Sequence, residues 1–355
     1  MKKNRFIIII VLILLSLALF LVLKPRSGTY GRGLQDFAIS DTSNVTKIFL
    51  SDKQNRSITL TRVNEGSWRL NEKYSARKDG IDILLKTMLN LSVNSPVAKA
   101  ARNNIIRMLA AKSVKVEVYQ RVYRIDLFSR LQLFSHEKLT KTYYVGDVAQ
   151  DNIGTFMIIE GSDEPFTTYL PGFRGFVSSR YTTLEEDWRE HIIFHHRLPD
   201  IANINVAFGD NPEWSFEIDN PDNHGFKLKS TFSNQSVIDF DTTKIIEFLG
   251  SFANVRFEAF LNDLDKSKRD SITSSKPFYN ISLTDRMGKT QTITTFKKLI
   301  GPDKKDAAGN LVNYDRERMY ALVNDNKDLV LVQFFVFDRI LKPLPFFLKG
   351  GTTGK

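Results

Sequence analysis

The sequence contains no cysteine. Disulfides, iron–sulfur clusters, thiol nucleophiles and cysteine-bound zinc are therefore excluded, as is the lipid-modified cysteine of a bacterial lipoprotein. Histidine is scarce, with five residues: His136, His191, His195, His196 and His224. No phosphate-binding G-x-x-x-x-G-K-[ST] loop occurs, no G-x-G-x-x-G follows a strand pattern, and there is no G-x-S-x-G nucleophile elbow. Long apolar runs are also lacking beyond residue 23, so one span is the most the chain offers a bilayer.

That one run is at the start. Lys2, Lys3 and Arg5 precede Phe6 to Leu23, which is apolar throughout except for Ser16. At a rise of about 1.5 Å per residue the run spans roughly 27 Å, the thickness of a hydrocarbon core. It has no 3.6-residue stripe, as lipid on every side requires. The apolar core is long and no A-x-A-like site follows it, so it reads as an uncleaved signal anchor rather than a cleaved signal. The basic cap favours a cytoplasmic N-terminus, although Lys24, Arg26 and Arg32 sit at the exit end. The expected location is the bacterial inner membrane, single-pass, with the bulk of the chain extracytoplasmic.

The rest is ordinary for a folded protein, 42% hydrophobic and 25% charged, and long enough for about two domains. The net charge is +10. Much of it falls between residues 95 and 145, where ten Lys and Arg face only Glu117, Asp126 and Glu137. This is either a solvated face or a surface attracted to anionic lipid or an acidic partner. No nucleic-acid motif occurs, and export removes that partner.

Residues 24–44, rich in Gly, Ser, Thr and Arg, read as a linker. Val45 to Leu50, Ser57 to Arg62 and Ser67 to Leu70 read as an antiparallel meander. A helix follows, capped by Ser75 or Asp79, with Ile81, Leu84, Leu85, Met88, Leu89 and Leu91 at helical spacing. Residues 94–112 read as helix or loop. Val114 to Val118 and Tyr123 to Phe128 read as two strands joined by a hairpin. Thr142 to Gly146 and Thr155 to Glu160 continue the sheet, and Leu184 to Phe194 reads as a short helix.

From Ile201 the order repeats. Ile204 to Phe208, Trp214 to Ile218 and Gly225 to Leu228 answer the first meander, and Asp241 to Val255 answers the first helix. Strands follow at Phe278 to Leu283, Thr290 to Thr295, Met319 to Val323 and Leu329 to Phe337. The expectation is an α+β protein with an N-terminal transmembrane helix and two similar, duplicated domains of antiparallel sheet plus helix. The boundaries are 1–5 cytoplasmic cap, 6–23 anchor, 24–44 linker, 45–198 first domain, 199–348 second domain and 349–355 tail.

Several stretches carry a resemblance: Leu60-Thr-Arg62 with Trp68-Arg-Leu70 and the Asp79 to Leu91 helix; Pro171-Gly-Phe-Arg-Gly-Phe176 with Ser179-Arg-Tyr181; and Asp187-Trp-Arg-Glu190 with Ile192-Ile-Phe194 and Ile201 to Val206. In this order the chain resembles the bacterial domain-of-unknown-function family 4340 over most of residues 45–340. The resemblance implies an envelope protein with one N-terminal membrane segment, similar in gene setting to accessory parts of gliding-motility-type ABC transporters. It assigns no catalytic residue. The charged stretch between Leu299 and Met319 departs from the family and reads as a surface loop.

Two groups of residues stand out chemically. Pro171 to Tyr181 combines turn-forming Pro and Gly with Phe173, Arg174, Phe176, Arg180 and Tyr181, side chains of the recognition type. The alternative is a connection that packs its aromatics under the sheet. His191 and His195 lie four apart, one face of a helix, near Asp187 and Glu190; they are the candidate metal pair, but they lack the Glu of H-E-x-x-H. Read together, the features point to a non-enzymatic envelope protein that needs no cofactor. It is held by membrane lipid through residues 6–23 and acts through protein partners in a transporter, secretion or motility assembly. The alternative is a periplasmic glycan- or lipid-binding domain, hydrolytic or not, that uses the 171–181 loop.

Overall fold

The computed structural model describes residues 11–16, 36–127, 131–150, 152–221, 225–301 and 312–350. Residues 11–16 are helical. The remainder of the expected 6–23 anchor lies outside the described residues, as do the 1–5 cap, most of the linker, the 302–311 part of the charged stretch, His224 and residues 351–355. Among the described residues no helix is long and apolar enough to cross a membrane.

The chain divides into two compact units, Met1–Arg189 and Glu190–Lys355. The first opens with β1 (Val45–Ser51), β2 (Ser57–Asn64), β3 (Ser67–Leu70) and β4 (Tyr74–Ser75), then helix α1 (Lys78–Asn90). Next come β5 (Ser92–Pro96), helix α2 (Lys99–Lys112), β6 (Val114–Leu127), β7 (Leu131–Val148), β8 (Thr155–Ile159), β9 (Phe166–Tyr169) and the single turn α3 (Glu185–Trp188). The nine strands form one sheet in the order β4-β3-β2-β1-β6-β7-β8-β9-β5.

Alternation explains this sheet. In β1 and β2 the inward residues Val45, Ile48, Leu50, Ile58 and Leu60 are buried, and their neighbours face outward. Helix α1 lays Ile81, Leu84 and Met88 into the same core. Its start differs from the expected Ser75 or Asp79 cap. The N-cap is Arg77, and no side chain caps the helix. Backbone bonds hold the preceding residues extended: Ala76 N donates to Trp68 O and Arg77 N to Trp188 O, so the helix cannot begin earlier. Helix α2 buries Ile105 and Leu109. Leu109 lies where a side chain on Gly146 of β7 would point, so that glycine admits the helix.

The second unit contains β10 (Ile192–Phe194), β11 (Ile201–Phe208), β12 (Phe216–Asp219), β13 (Lys227–Ser230), β14 (Gln235–Val237), helix α4 (Thr242–Gly250), β15 (Val255–Arg256), β16 (Ala259–Phe260) and helix α5 (Lys266–Thr273). β17 (Tyr279–Asp285), β18 (Thr290–Leu299), β19 (Tyr314–Val323), β20 (Asp328–Gln333) and the short α6 (Phe334–Phe337) complete it. Its large sheet runs β14-β13-β12-β11-β17-β18-β19-β20-β16. Each position corresponds to one in the first sheet: a four-strand meander, a helix, a last strand at the far edge, a second helix, then four returning strands. Asp241 caps α4, accepting from Thr243 N at 2.9 Å and Lys244 N at 3.4 Å. Phe216, Phe248 and Phe347 meet edge to face in this core at 4.9–5.5 Å.

Other local expectations change as well, and the expected Leu329–Phe337 strand gives way to α6 after Gln333. Val114 to Leu127 is one continuous strand rather than two joined by a hairpin. Tyr119-Gln-Arg-Val122 has no Gly, Pro, Asn or Asp to turn on, so pairing with β7 runs through it. The expected 184–194 helix ends after one turn. Ile192 and Ile193 belong to β10, which pairs with β15, in keeping with their β-branched side chains.

Candidate functional site

The 171–181 loop follows β9. Phe173 N donates to Leu170 O at 3.1 Å, and the glycines at 172 and 175 adopt φ of +77° and +143°, conformations only glycine enters freely. Val177 is buried and its N–H donates to Thr155 Oγ1 at 2.9 Å. This plugs one end of the loop into the sheet. A 3-10 turn over Ser178–Tyr181 then delivers the last two residues to different places.

Arg180 turns toward α1. Its Nη1 donates to Thr87 Oγ1 at 2.8 Å, and its guanidinium lies 4.4 Å from the centre of the Phe173 ring. Thr87 in turn donates to Ile83 O at 2.7 Å. Arg180 therefore arrives at the surface already positioned, with little side-chain freedom left to lose on binding. It lines an open groove of about 460 Å³ together with Arg77, Gly80, Ile83, Ser179, Thr182, Asp187 and Trp188. That volume is in the range of small-molecule or side-chain sites. The Phe173 and Phe176 rings remain 39% and 43% exposed beside it, and Arg174 is exposed on the loop.

Tyr181 goes the other way. It is fully buried, with its hydroxyl 3.3 Å from that of Tyr143 and the two rings edge to face at 6.1 Å. Burial pushes its phenol up to about 12, with the Tyr143 bond and Arg180 pulling only slightly the other way. Burial also raises Tyr143 well above the ordinary tyrosine value, helped by Tyr181. Both stay protonated at neutral pH. Of the five loop candidates, Phe173 and Arg180 meet at the groove, Arg174 and Phe176 stand exposed, and Tyr181 is part of the core.

The groove's other wall was not visible in the sequence. Arg77 and Gly80 come from the start of α1, and Trp188 from α3, whose indole donates to Thr182 O at 2.9 Å. The one available signal was Thr87, a polar residue on the apolar face of α1 and fully buried.

His191 and His195 are placed differently from the helical pair their spacing invokes. Strand β10 lies between them. Four residues of strand cover about 13 Å, against roughly 6 Å along a helix, too far for one ion held by bonds of about 2 Å. His191 stacks on Phe257 at 4.5 Å and meets Phe260 edge-on at 5.4 Å, while His195 is exposed. Among the described residues no three His, Asp or Glu side chains are grouped to hold a metal.

The loop is also tied to the β1–β2 turn through a buried carboxylate. Asp52 accepts from Gln54 N, Arg56 N, Arg56 Nε and Thr183 Oγ1 at 2.6–3.1 Å, and its side chain is 8% exposed. Burial alone would raise its pKa. The bonds from Thr183, Arg56 and the two backbone N–H groups outweigh burial and bring it to about 2. A folded-state value below the unfolded one stabilises above the unfolded pKa, and that contribution is lost as pH falls through the folded one. Unfolding free energy followed by urea titration should therefore lose about 2 kcal/mol from this group between about pH 4 and pH 2. Asp52→Asn should cost about 1–3 kcal/mol at neutral pH and flatten that part of the acid limb. An unchanged acid limb in the variant would contradict this assignment.

The fold is that of a mixed α+β protein built on two large antiparallel sheets, with an open groove beside the 171–181 loop of the first. The family model described as Domain of unknown function (DUF4340) matches residues 68–277, more than half of the chain, and the protein belongs to that family. The matched range runs from β3 to just before β17 and includes the whole 171–181 loop. No curated protein matches the chain, and no solved structure does.

Proposed function

We propose that this is a single-pass, membrane-anchored, extracytoplasmic envelope protein that works by binding, as an accessory component of a transporter, secretion or motility assembly. The anchor rests on the basic-capped apolar run at residues 6–23, with the N-terminus cytoplasmic. The matching strand orders support an origin of the two units by duplication. The observation that carries the binding role is the pre-positioned Arg180, fixed by Thr87 and Phe173 at the lip of a groove with two exposed phenylalanines beside it. A half-buried arginine held against an aromatic ring is the composition of an interface hot spot.

Affinity purification of the full chain from gently solubilised membranes should recover envelope proteins reproducibly. Arg180→Ala should reduce that recovery roughly tenfold or more, the loss expected when a hot-spot arginine is truncated. A chain that purifies alone, or an Arg180→Ala variant with an unchanged partner set, would remove the reading. The same groove favours a second reading. Arg180, with Arg77 paired to Asp79 across the groove, would suit an anionic glycan or lipid headgroup, and such a ligand would appear in native mass spectra of the purified protein and vanish in the Arg180→Ala variant.

A further inference from the structure

β6 and β7 run well past their neighbours. β1 accompanies β6 only as far as the Val45–Gln120 pair, and β8 accompanies β7 only from the Tyr143–Ile159 pair. Beyond these points the two strands have only each other, through Arg121–Glu137 and Tyr123–Ser135 to Leu127–Leu131. The eight residues from Gln120 to Leu127, seven rises of strand, make an arm of about 23 Å. A free two-stranded ribbon is marginal by itself in water, yet this one exposes Leu133, Phe134 and Leu139 at 41%, 69% and 40%. Phe134 sits at φ +58°, a left-handed conformation unusual for a bulky residue. Register and alternation put Tyr119, Arg121, Tyr123, Leu133, Glu137 and Leu139 on one face and Arg124, Phe134 and Lys138 on the other, so both faces of the arm carry apolar and cationic side chains. Arg121, Arg124 and Lys138 stand exposed along the arm.

The base of the arm is bound to the first residues after the N-terminal run. Arg121 N donates to Asn44 O, and Gln120 Nε2 to Asp41 O. Glu137 accepts from Thr46 Oγ1 and pairs with Lys47. Lys141 Nζ donates to Asp36 O and Ala38 O at 2.7 and 2.5 Å. The arm thus leaves the sheet at the end where the chain arrives from residues 6–23. The chain between Leu23 and Asp36 can extend at most about 45 Å.

We infer that the β6–β7 arm is a second membrane contact, docking its exposed apolar side chains and Arg121, Arg124 and Lys138 onto an anionic lipid surface. The inference rests on the anchored reading above. Exposed apolar groups interleaved with exposed cations are the composition that anionic headgroup regions attract, and the attraction falls off within a Debye length, so nearness to the anchor matters. Glu137 does not oppose it, because Lys47 neutralises it. At the base, Lys141 is engaged with backbone oxygens and the Asp36 carboxylate, and Glu117 is paired with Lys115.

The absence of cysteine makes the test direct. In the full chain, Leu133→Cys supplies the only thiol for an environment-sensitive fluorophore. Placed in nanodiscs, the probe should shift to the blue and be quenched by lipid-borne quenchers when phosphatidylglycerol is present, but not in pure phosphatidylcholine. High salt should reverse the shift, and Arg121→Gln with Arg124→Gln and Lys138→Gln should abolish it. A probe at Met287→Cys, in the β17–β18 turn, should stay aqueous throughout. An embedded chain whose arm probe stays aqueous in both discs overturns the proposal. So does a probe shielded only when membrane protein extract is added, which would assign the arm to a protein partner. If the chain does not embed, the anchor reading fails instead. Co-sedimentation with vesicles of the same lipids then decides for the arm: a roughly 100-fold weaker association of the triple variant supports it, and no charge dependence overturns it.

Discussion

Tyr181→Ala should destabilise the first unit by about 3–5 kcal/mol, the range for removing a fully buried aromatic ring. The ring belongs to a chain of edge-to-face contacts, Tyr181 to Tyr143, Tyr143 to Phe37 and Phe37 to Phe166, each at 6.1 Å. Its loss opens a cavity beneath the groove and leaves the Tyr143 hydroxyl buried without its partner. Tyr181→Phe keeps the ring and should cost only about 1 kcal/mol. Two of the three tryptophans, Trp68 and Trp188, are buried in this unit, while Trp214 in the other is 38% exposed. Intrinsic fluorescence during urea unfolding therefore reports chiefly on the first unit. A Tyr181→Ala loss below about 1 kcal/mol would mean that the ring is not a core element. The raised phenol predicts a matching alkaline effect. A folded pKa above the unfolded value near 10 stabilises fully below pH 10, and that stability is lost as pH rises from 10 toward about 12. Tyr181→Phe should remove part of that alkaline loss.

Gly209→Ala should be nearly as damaging, in the second unit. Gly209 follows β11, and its N–H donates to Phe278 O at 2.8 Å just ahead of β17. A β-carbon there would fall on the carbonyl oxygen of Pro277 and lie 3.1 and 3.2 Å from Pro277 C and Phe278 O. These are backbone atoms of the segment leading into β17 and cannot rotate aside. The cost should be about 3 kcal/mol, at the upper end of overpacking effects. Gly250→Ala is the control. It ends α4, nothing lies within 4 Å of its β-carbon position, and alanine there should be neutral or stabilise by up to about 1 kcal/mol. Differential scanning calorimetry should show the Gly209 variant losing stability in one transition while the other holds. Equal stability of the two variants would show that the strands separate freely at Gly209.

Much of this architecture was legible from local pattern. Period-two alternation in Ser57 to Arg62 and helical spacing from Ile81 to Met88 are one-dimensional records of which face meets the core. They survive folding because burial rewards them residue by residue. The repeated order of elements and the family were readable for the same reason. The basic-capped apolar run is likewise a property of composition alone.

Tertiary structure decided where elements end and which side chains meet. Val114 to Leu127 continues as one strand because β7 pairs with it across the expected turn, and that pairing creates an arm no local pattern announces. His191 and His195 part company because β15 recruits the residues between them into a strand. Arg180, Thr87 and Phe173 converge, and Tyr181 is withdrawn into the core, through contacts across tens of residues of chain. Such contacts depend on how the sheet stacks its helix and loop, and the sequence records only the participants.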